Sequence, residues 1–279
     1  MRCAITGAAG YVGSAICTAL RARGCDILAL GRRPPSHPAE FLRFELPGEP
    51  ERIPWQGMDA IVHCAHDFRL TRPDDIERVN VEGGIRLLRA AKSGGVERGV
   101  FISSMSCFEG CRSLYGKAKL RLEEEALRLE YAVVRPGLVY GDKPGGMMGA
   151  LERAAAASPV VPMLGAGRQL QYLVHIDDLG RLVAELCLRE SPPPAVPLTA
   201  AHPEGITLRD IVTELARREG RSPVYLPIPW QLILAGLKTL EWLRLPTPFR
   251  SDSLLGIVHQ NPAPDFNLPP EQNALRRFR

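Results

Sequence analysis

At 279 residues, with 45% apolar and 24% charged side chains, the chain has room for two small domains or one large one and is neither a disordered tail nor a disulfide-dependent miniprotein. Its 35 basic and 31 acidic residues leave a net charge of only +4, which argues against a nucleic-acid binder, and Arg276, Arg277 and Arg279 read as a solvated tail. Seven cysteines, an odd number spread along the chain, read as reduced thiols, and no Cys or His spacing matches a metal site, so no metal is expected.

The opening MRCAITGAAG reaches glycines before any apolar run of signal-peptide length, and no later run approaches a membrane span; a cytoplasmic protein is expected. Arg2 to Thr6 is a short apolar run, and Val12, Ile16, Ala19 and Leu20 follow at helical spacing, so the start reads strand, glycine-rich turn, helix. Further strands are predicted at Asp26 to Leu30, around Phe41 to Leu46 and at Asp59 to Cys64. Between the second and third, Pro34, Pro35 and Pro38 leave little room for a full crossover helix. Helices are predicted at Pro73 to Ser93 and Gly116 to Leu129, with a strand at Gly99 to Ser103 between them and another starting at Tyr131 to Arg135. Strands alternating with helices imply an α/β fold with a mostly parallel sheet covered on both faces.

Beyond Gly141 the composition changes. Helices are predicted at Met147 to Ala156, Ile176 to Leu188, Thr207 to Gly220 and Trp230 to Leu243, with an extended piece at Pro159 to Gly165 and no helix in the proline-rich Pro223 to Pro229. The stripe Trp230, Ile233, Leu234, Leu237 and Leu240 reads as core or cap packing ahead of a membrane or partner surface. The segment HQNPAPDFNLPP reads as coil.

Gly7, Gly10 and Gly13 form GxxGxxG between the first strand and the first helix. Dinucleotide binding needs a tight turn, bare backbone against a pyrophosphate and a helix amino terminus facing the anion, and these glycines supply that pattern. Where a carboxylate would receive the ribose hydroxyls of NAD, the second strand ends in Arg32 and Arg33. A guanidinium fork matches a 2′-phosphate, so NADP is predicted over NAD.

In this order, the motifs resemble the extended short-chain dehydrogenase/reductase superfamily, in particular its NAD-dependent epimerase/dehydratase family. GAAGYVG, with Tyr11 and Val12, is similar to the family's cofactor loop; Glu45 and Leu46 lie where an acidic residue and Leu near the adenine are common, and DAIVHCAH resembles the strand ending near Ala65. Asn80 to Gly84 is similar to the helix carrying a structural Asn, VERGVFISS resembles the fifth strand, Tyr115 to Lys119 the YxxxK pair, and VVRPGLVYG (with Pro136) and LVHIDDL the later landmarks. The resemblance implies a Rossmann-like doubly wound parallel sheet with a small C-terminal substrate-binding region. Residues 1–141 would form the NADP-binding domain, with 172–190 returning to it, and 142–171 and 191–279 the substrate-binding cap. The implied cofactor contacts are Gly7, Gly10, Tyr11, Val12, Gly13, Arg32, Arg33, Glu45, Leu46, Ala65, Asn80, Lys119 and Pro136; the implied partners are a small-molecule substrate and, as one arrangement left open, a second copy in a homodimer.

A tyrosine and a lysine four apart share a helix face, and a free phenol with a pKa of about 10 needs a neighbouring ammonium to exchange protons near neutrality. Tyr115 is therefore the expected acid or base, with Lys119 tuning it and holding the ribose. The family's usual Ser/Thr position falls on Met105, which cannot donate a hydrogen bond, so Ser104 is expected to orient the substrate oxygen, with Ser106 the other candidate. Only ten residues separate Ser104 from Tyr115, shorter than in extended members. Gln171 stands where nucleotide-sugar members often carry an Arg, with Arg168 nearby. The expected function is an NADP(H)-dependent oxidoreductase on a carbonyl or alcohol; a nucleotide-sugar epimerase or dehydratase, and a catalytically silent NADP-binding sensor or assembly protein, are the alternatives.

Overall fold

The computed structural model describes residues 1–279 except 244, 246, 248, 270–273 and 279, so Arg279 lies outside the described residues. The chain begins β1 (Arg2–Thr6), α1 (Tyr11–Arg21) and β2 (Asp26–Gly31), and reaches β3 (Glu40–Arg43) with no crossover helix, as the prolines there require. β4 (Ala60–His63) is followed by α2 (Pro73–Ile76), a π-helical turn at Glu77–Glu82 and α3 (Gly83–Ser93), then β5 (Arg98–Ile102), α4 (Leu114–Arg128) and β6 (Ala132–Pro136). After β7 (Leu138–Tyr140) come α5 (Gly146–Ala157), β8 (Val160–Leu164), β9 (Leu170–Gln171), β10 (Leu173–His175), α6 (Ile176–Leu188) and β11 (Leu198–Ala200). The remainder holds β12 (Ile206–Thr207), α7 (Leu208–Arg218), β13 (Val224–Ile228), α8 (Trp230–Trp242) and α9 (Ser251–Val258).

Seven parallel strands form the main sheet in the order β11, β6, β5, β4, β1, β2, β3. Its two faces follow the period-two alternation of the strands. On β1, Cys3 and Ile5 point to a core shared with Ile16 and Leu20 of α1 and Leu179 and Val183 of α6. Ala4 points the other way, into a core with Leu87 of α3, Leu122 of α4 and Phe101. A third cluster joins Met148 of α5, Met163 of β8, Ile211 and Leu215 of α7, Leu237 of α8 and Leu254 of α9 into the cap. The stripe predicted on α8 is thus core packing, with Trp230, Ile233 and Leu234 packed against that cluster.

Two boundaries are corrected. β11 pairs with β6, so residues 198–200 belong to the main sheet and not to the cap. The C-terminal segment also returns to the main domain: Leu268 and Leu275 enter the α1/α6 core, and Asn267 accepts from the Thr199 amide at 3.0 Å. Arg276, expected as solvated tail, bonds Asp178 at the start of α6, its amide donating at 2.8 Å. The sequence reading placed no helix over α9.

Candidate functional site

One cavity of about 1310 Å³ opens along the carboxyl ends of β1, β2, β4, β5 and β6, and α9 and part of α8 wall its cap side. Ligands of open α/β sheets bind at this edge.

Gly7 takes φ +70°, a conformation glycine adopts without strain, and a side chain there would meet the Ala65 backbone. At Gly13 a Cβ would collide with the Gly7 carbonyl oxygen, so the helix is pressed against the turn. No side chain caps α1, whose first turn faces the cavity through Tyr11, Val12 and Gly13. An uncapped helix amino terminus behind bare backbone suits a pyrophosphate, and these residues fit a dinucleotide. Below the turn, the Thr6 hydroxyl accepts from the amides of Cys64 and Ala65 at 3.1 and 3.2 Å and donates to His63 Nδ1 at 2.8 Å.

Arg32, Arg33, Glu45, Leu46, Ala65 and Pro136 all line the cavity. Asn80 does not: it is 1% exposed, and its Oδ1 accepts from the Asp67 amide at 2.7 Å, so it braces the loop after β4 and its assignment as a cofactor contact is corrected. Arg32 pairs with Asp67 at 3.5 Å. Arg69 grips the same carboxylate at 2.6 Å, and its hydrogen bonds pull the Asp67 pKa down to about 2.

Tyr115, Lys119 and Ser104 line the cavity together, beside Met105 and Ser106. Burial pushes the Tyr115 phenol up to about 12, and a hydrogen bond with Ser104 pulls the other way. The Lys119 ammonium donates to the Ile102 carbonyl at 2.7 Å, lies 5.8 Å from the centre of the Tyr115 ring, and is not a source of the phenol's shift. Burial lowers its own pKa to about 8. Ser104 Oγ also accepts from the Ser106 amide at 3.1 Å, which fixes the serine loop.

Sequence reasoning missed His66 and Phe68. The His66 ring meets Tyr115 edge-on with centroids 5.0 Å apart, and Phe68, 62% exposed, lies 4.7 Å from His66 and 5.5 Å from Tyr115. Together they pack against the Tyr115 ring at the cavity wall; the only sequence signal was an aromatic pair just past a strand end. Gln171 lines the cavity and Arg168 does not, whereas Arg112, Arg153, Lys238 and Arg250 bring positive charge to it from four other segments. His175 caps α6, its Nδ1 accepting from the Asp177 amide at 3.2 Å. Among the described residues no group of three or more His, Cys, Asp or Glu is placed to hold a metal, and no helix is long and apolar enough to cross a membrane.

A family model described as the NAD dependent epimerase/dehydratase family matches residues 3–194. A ceramide reductase from Caulobacter vibrioides is 29% identical over 254 residues, which span 87% of this chain and 78% of the reductase. Among solved structures, MoeE5 in complex with UDP-glucose and NAD superimposes with a TM-score of 0.69 at 25% identity, covering 82% of this chain and 85% of MoeE5. The UDP-glucose 4-epimerase of Thermus thermophilus in complex with NAD gives 0.67 at 26% identity, covering 82% and 86%. Both hold NAD, and this overturns the expectation of NADP. At the rim the Arg32 guanidinium stands 3.5 Å from the Asp67 carboxylate, and Glu45 lines the same opening with Arg33, so the fork that would grip a 2′-phosphate is partly engaged and has a carboxylate beside it.

Proposed function

The chain belongs to the NAD dependent epimerase/dehydratase family, and on that premise we propose that it is an NAD-dependent enzyme acting on a hydroxyl-bearing or carbonyl carbon of a nucleotide sugar. The observation that carries this reading is the meeting of Tyr115, Ser104 and Lys119 with the glycine turn in one cavity. NAD, when bound, supplies the hydride acceptor and, once reduced, the donor. Gly7, Gly10, Gly13 and the start of α1 would hold its pyrophosphate, and Lys119 its ribose.

A phenol raised to about 12 is protonated at neutral pH, so Tyr115 as it stands is an acid able to give its proton to a carbonyl oxygen. Working as a base requires nearby positive charge, which Lys119 brings if its ammonium leaves Ile102. Ser104 holds the phenol beside the place of the reacting oxygen, a role that makes the expected silent protein the weaker reading despite Met105. The substrate class draws support from MoeE5, solved with UDP-glucose, and from Arg112, Arg153, Lys238 and Arg250, which bring to the cavity the charge absent at Gln171. The expected carbonyl or alcohol oxidoreductase of unspecified substrate therefore gives way to its alternative.

A second reading has its own observation. The ceramide reductase aligns over 87% of this chain, and Phe68, Leu70, Leu255 and Ile257 give the cavity an apolar flank. The experiment that separates the two incubates the protein and NAD with a panel of nucleoside-diphosphate sugars and, in parallel, the protein and NADH with ceramide-type ketones. Thermal protection and turnover by one nucleotide sugar supports the first reading; turnover of a ketone with no sugar nucleotide bound replaces it with the second.

A further inference from the structure

We propose that Asp252, on the cap helix α9, is a positioning residue for Tyr115, holding the catalytic helix in register from the far end of the chain. The inference rests on the reading of Tyr115 as the acid or base.

A helix leaves its first amides without partners inside it. In α4 they are met from outside: Asp252 Oδ1 accepts from the Leu114 amide at 2.7 Å, and Oδ2 accepts from the amide of Tyr115 itself at 2.9 Å. Ser113 Oγ accepts the next one, from Gly116, at 3.0 Å. The carboxylate also faces the positive end of the helix dipole. A local serine thus caps the helix in the ordinary way, and a carboxylate 137 residues further along the chain takes the amide of the reactive residue.

Asp252 is itself held from behind. Glu241 at the end of α8 accepts from the Ser251 amide at 2.9 Å, from the Ser251 hydroxyl at 2.7 Å and from Arg250 Nε at 3.0 Å, and Leu254 is 1% exposed in the cap core. Four residues past Asp252, α9 runs beside the serine loop, since a Cβ on Gly256 would lie 3.7 Å from Ser106 Oγ. α9 therefore stands against both segments that carry the proton-transfer groups. Asp252, Leu255 and Gly256 line the cavity on that side, with Ser106 and Tyr115.

Both Asp252 oxygens are engaged by backbone donors of α4. The residue acts through the Tyr115 backbone. A displacement of the phenol by about 1 Å is enough to cost on the order of a hundredfold in rate, so a cap that is docked and a tyrosine that is aligned become one condition.

The test uses Asp252→Asn, which keeps size and one acceptor, with Asp252→Ala as the harsher change and Tyr115→Phe as the reference. Amide exchange is followed at Leu114 and Tyr115, NADH affinity by nicotinamide fluorescence, and kcat and KM on whichever substrate the panel yields. The expected result in Asp252→Asn is at least tenfold faster exchange at those two amides with no change in α1, NADH affinity within about twofold of wild type, and kcat at least tenfold down with KM little moved. Unchanged exchange at Leu114 and Tyr115 overturns the proposal without any substrate in hand. A uniform rise in exchange across the sheet and cap overturns it too, since that marks a general staple. If Tyr115→Phe abolishes turnover and Asp252→Asn leaves kcat intact, the positioning role falls and the proposed function stands; if Tyr115→Phe is fully active, the proposed function falls and the positioning role with it.

Discussion

Lys119 donates to the carbonyl oxygen of Ile102 at 2.7 Å while its nitrogen stands 5.8 Å from the centre of the Tyr115 ring. The two residues share a helix face, as their spacing requires, and the ammonium binds the end of β5. Tyr115→Phe keeps the ring and removes the exchangeable proton, so turnover is expected to fall by roughly 10²- to 10⁴-fold with NADH affinity near wild type. Lys119→Met is expected to weaken both, because it removes the proposed ribose contact along with the charge. Steady-state rates and nicotinamide-fluorescence titrations of the two variants check this; equal NADH affinities for wild type and Lys119→Met would remove Lys119 from the cofactor site.

The serine loop makes a sharper distinction. Ser104 hydrogen-bonds the phenol and accepts from the Ser106 amide, whereas Ser106 lies against Gly256 of α9. Ser104→Ala is expected to lower kcat by about tenfold or more and to raise the Tyr115 pKa further, since the bond that favours phenolate is lost. Ser106→Ala is expected to change kcat by less than threefold. Comparable losses in the two variants would refute the assignment of the role to Ser104 alone.

Cofactor choice turns on the rim beyond β2. With Arg32 held by Asp67 and with Glu45 beside the same opening, NADH is expected to bind at least about tenfold more tightly than NADPH, a difference of about 1.4 kcal/mol. Asp67→Asn removes one carboxylate and frees the guanidinium, so it is expected to narrow that gap by strengthening NADPH. Paired titrations of both cofactors measure it, and a wild type that prefers NADPH would refute the argument from the rim.

How much of this was legible follows from how local each signal is. The strand, glycine turn and helix at residues 2–21 were readable because turn, periodicity and helix start lie within twenty residues. The helix bearing Tyr115 and Lys119 was readable for the same reason. Arg32 was misread because its partner, Asp67, comes from a loop after a different strand. Strand β11 was invisible because Leu198–Ala200 is three residues following a proline cluster and is a strand only by pairing with β6. Helix α9 was missed because SDSLLGIV is two turns long with no strong cap of its own, and its Asp252 acquires meaning only from amides 137 and 138 residues earlier.

The last prediction concerns His63, which the fold buries completely under the cofactor turn. Its Nδ1 accepts from Thr6 and its ring stacks on Phe101 with centroids 5.6 Å apart. Burial first, and the charge of Lys119 second, lower its pKa from 6.5 to about 3. A histidine whose folded pKa is depressed contributes stability that is complete above 6.5 and is lost as pH falls from 6.5 toward 3, because the unfolded chain binds the proton and the folded one refuses it. At pH 5 the loss is on the order of 2 kcal/mol. Asp67, depressed to about 2 by Arg69, adds its own loss only below about pH 4, and Glu125 and Glu214, lowered by Arg89 and Arg217, add theirs as pH falls through the carboxylate range, so the upper part of the window, from 6.5 to about 5, belongs to histidine. His66 is held neutral by burial in the same way and shares that window. Denaturant unfolding of wild type, His63→Gln and His66→Gln at several pH values separates them: each variant is expected to show a shallower fall in stability between pH 6.5 and 4 than wild type, whatever its absolute stability at pH 7. A His63→Gln protein whose stability falls as steeply as wild type over that range would show that the buried imidazole takes up its proton without unfolding.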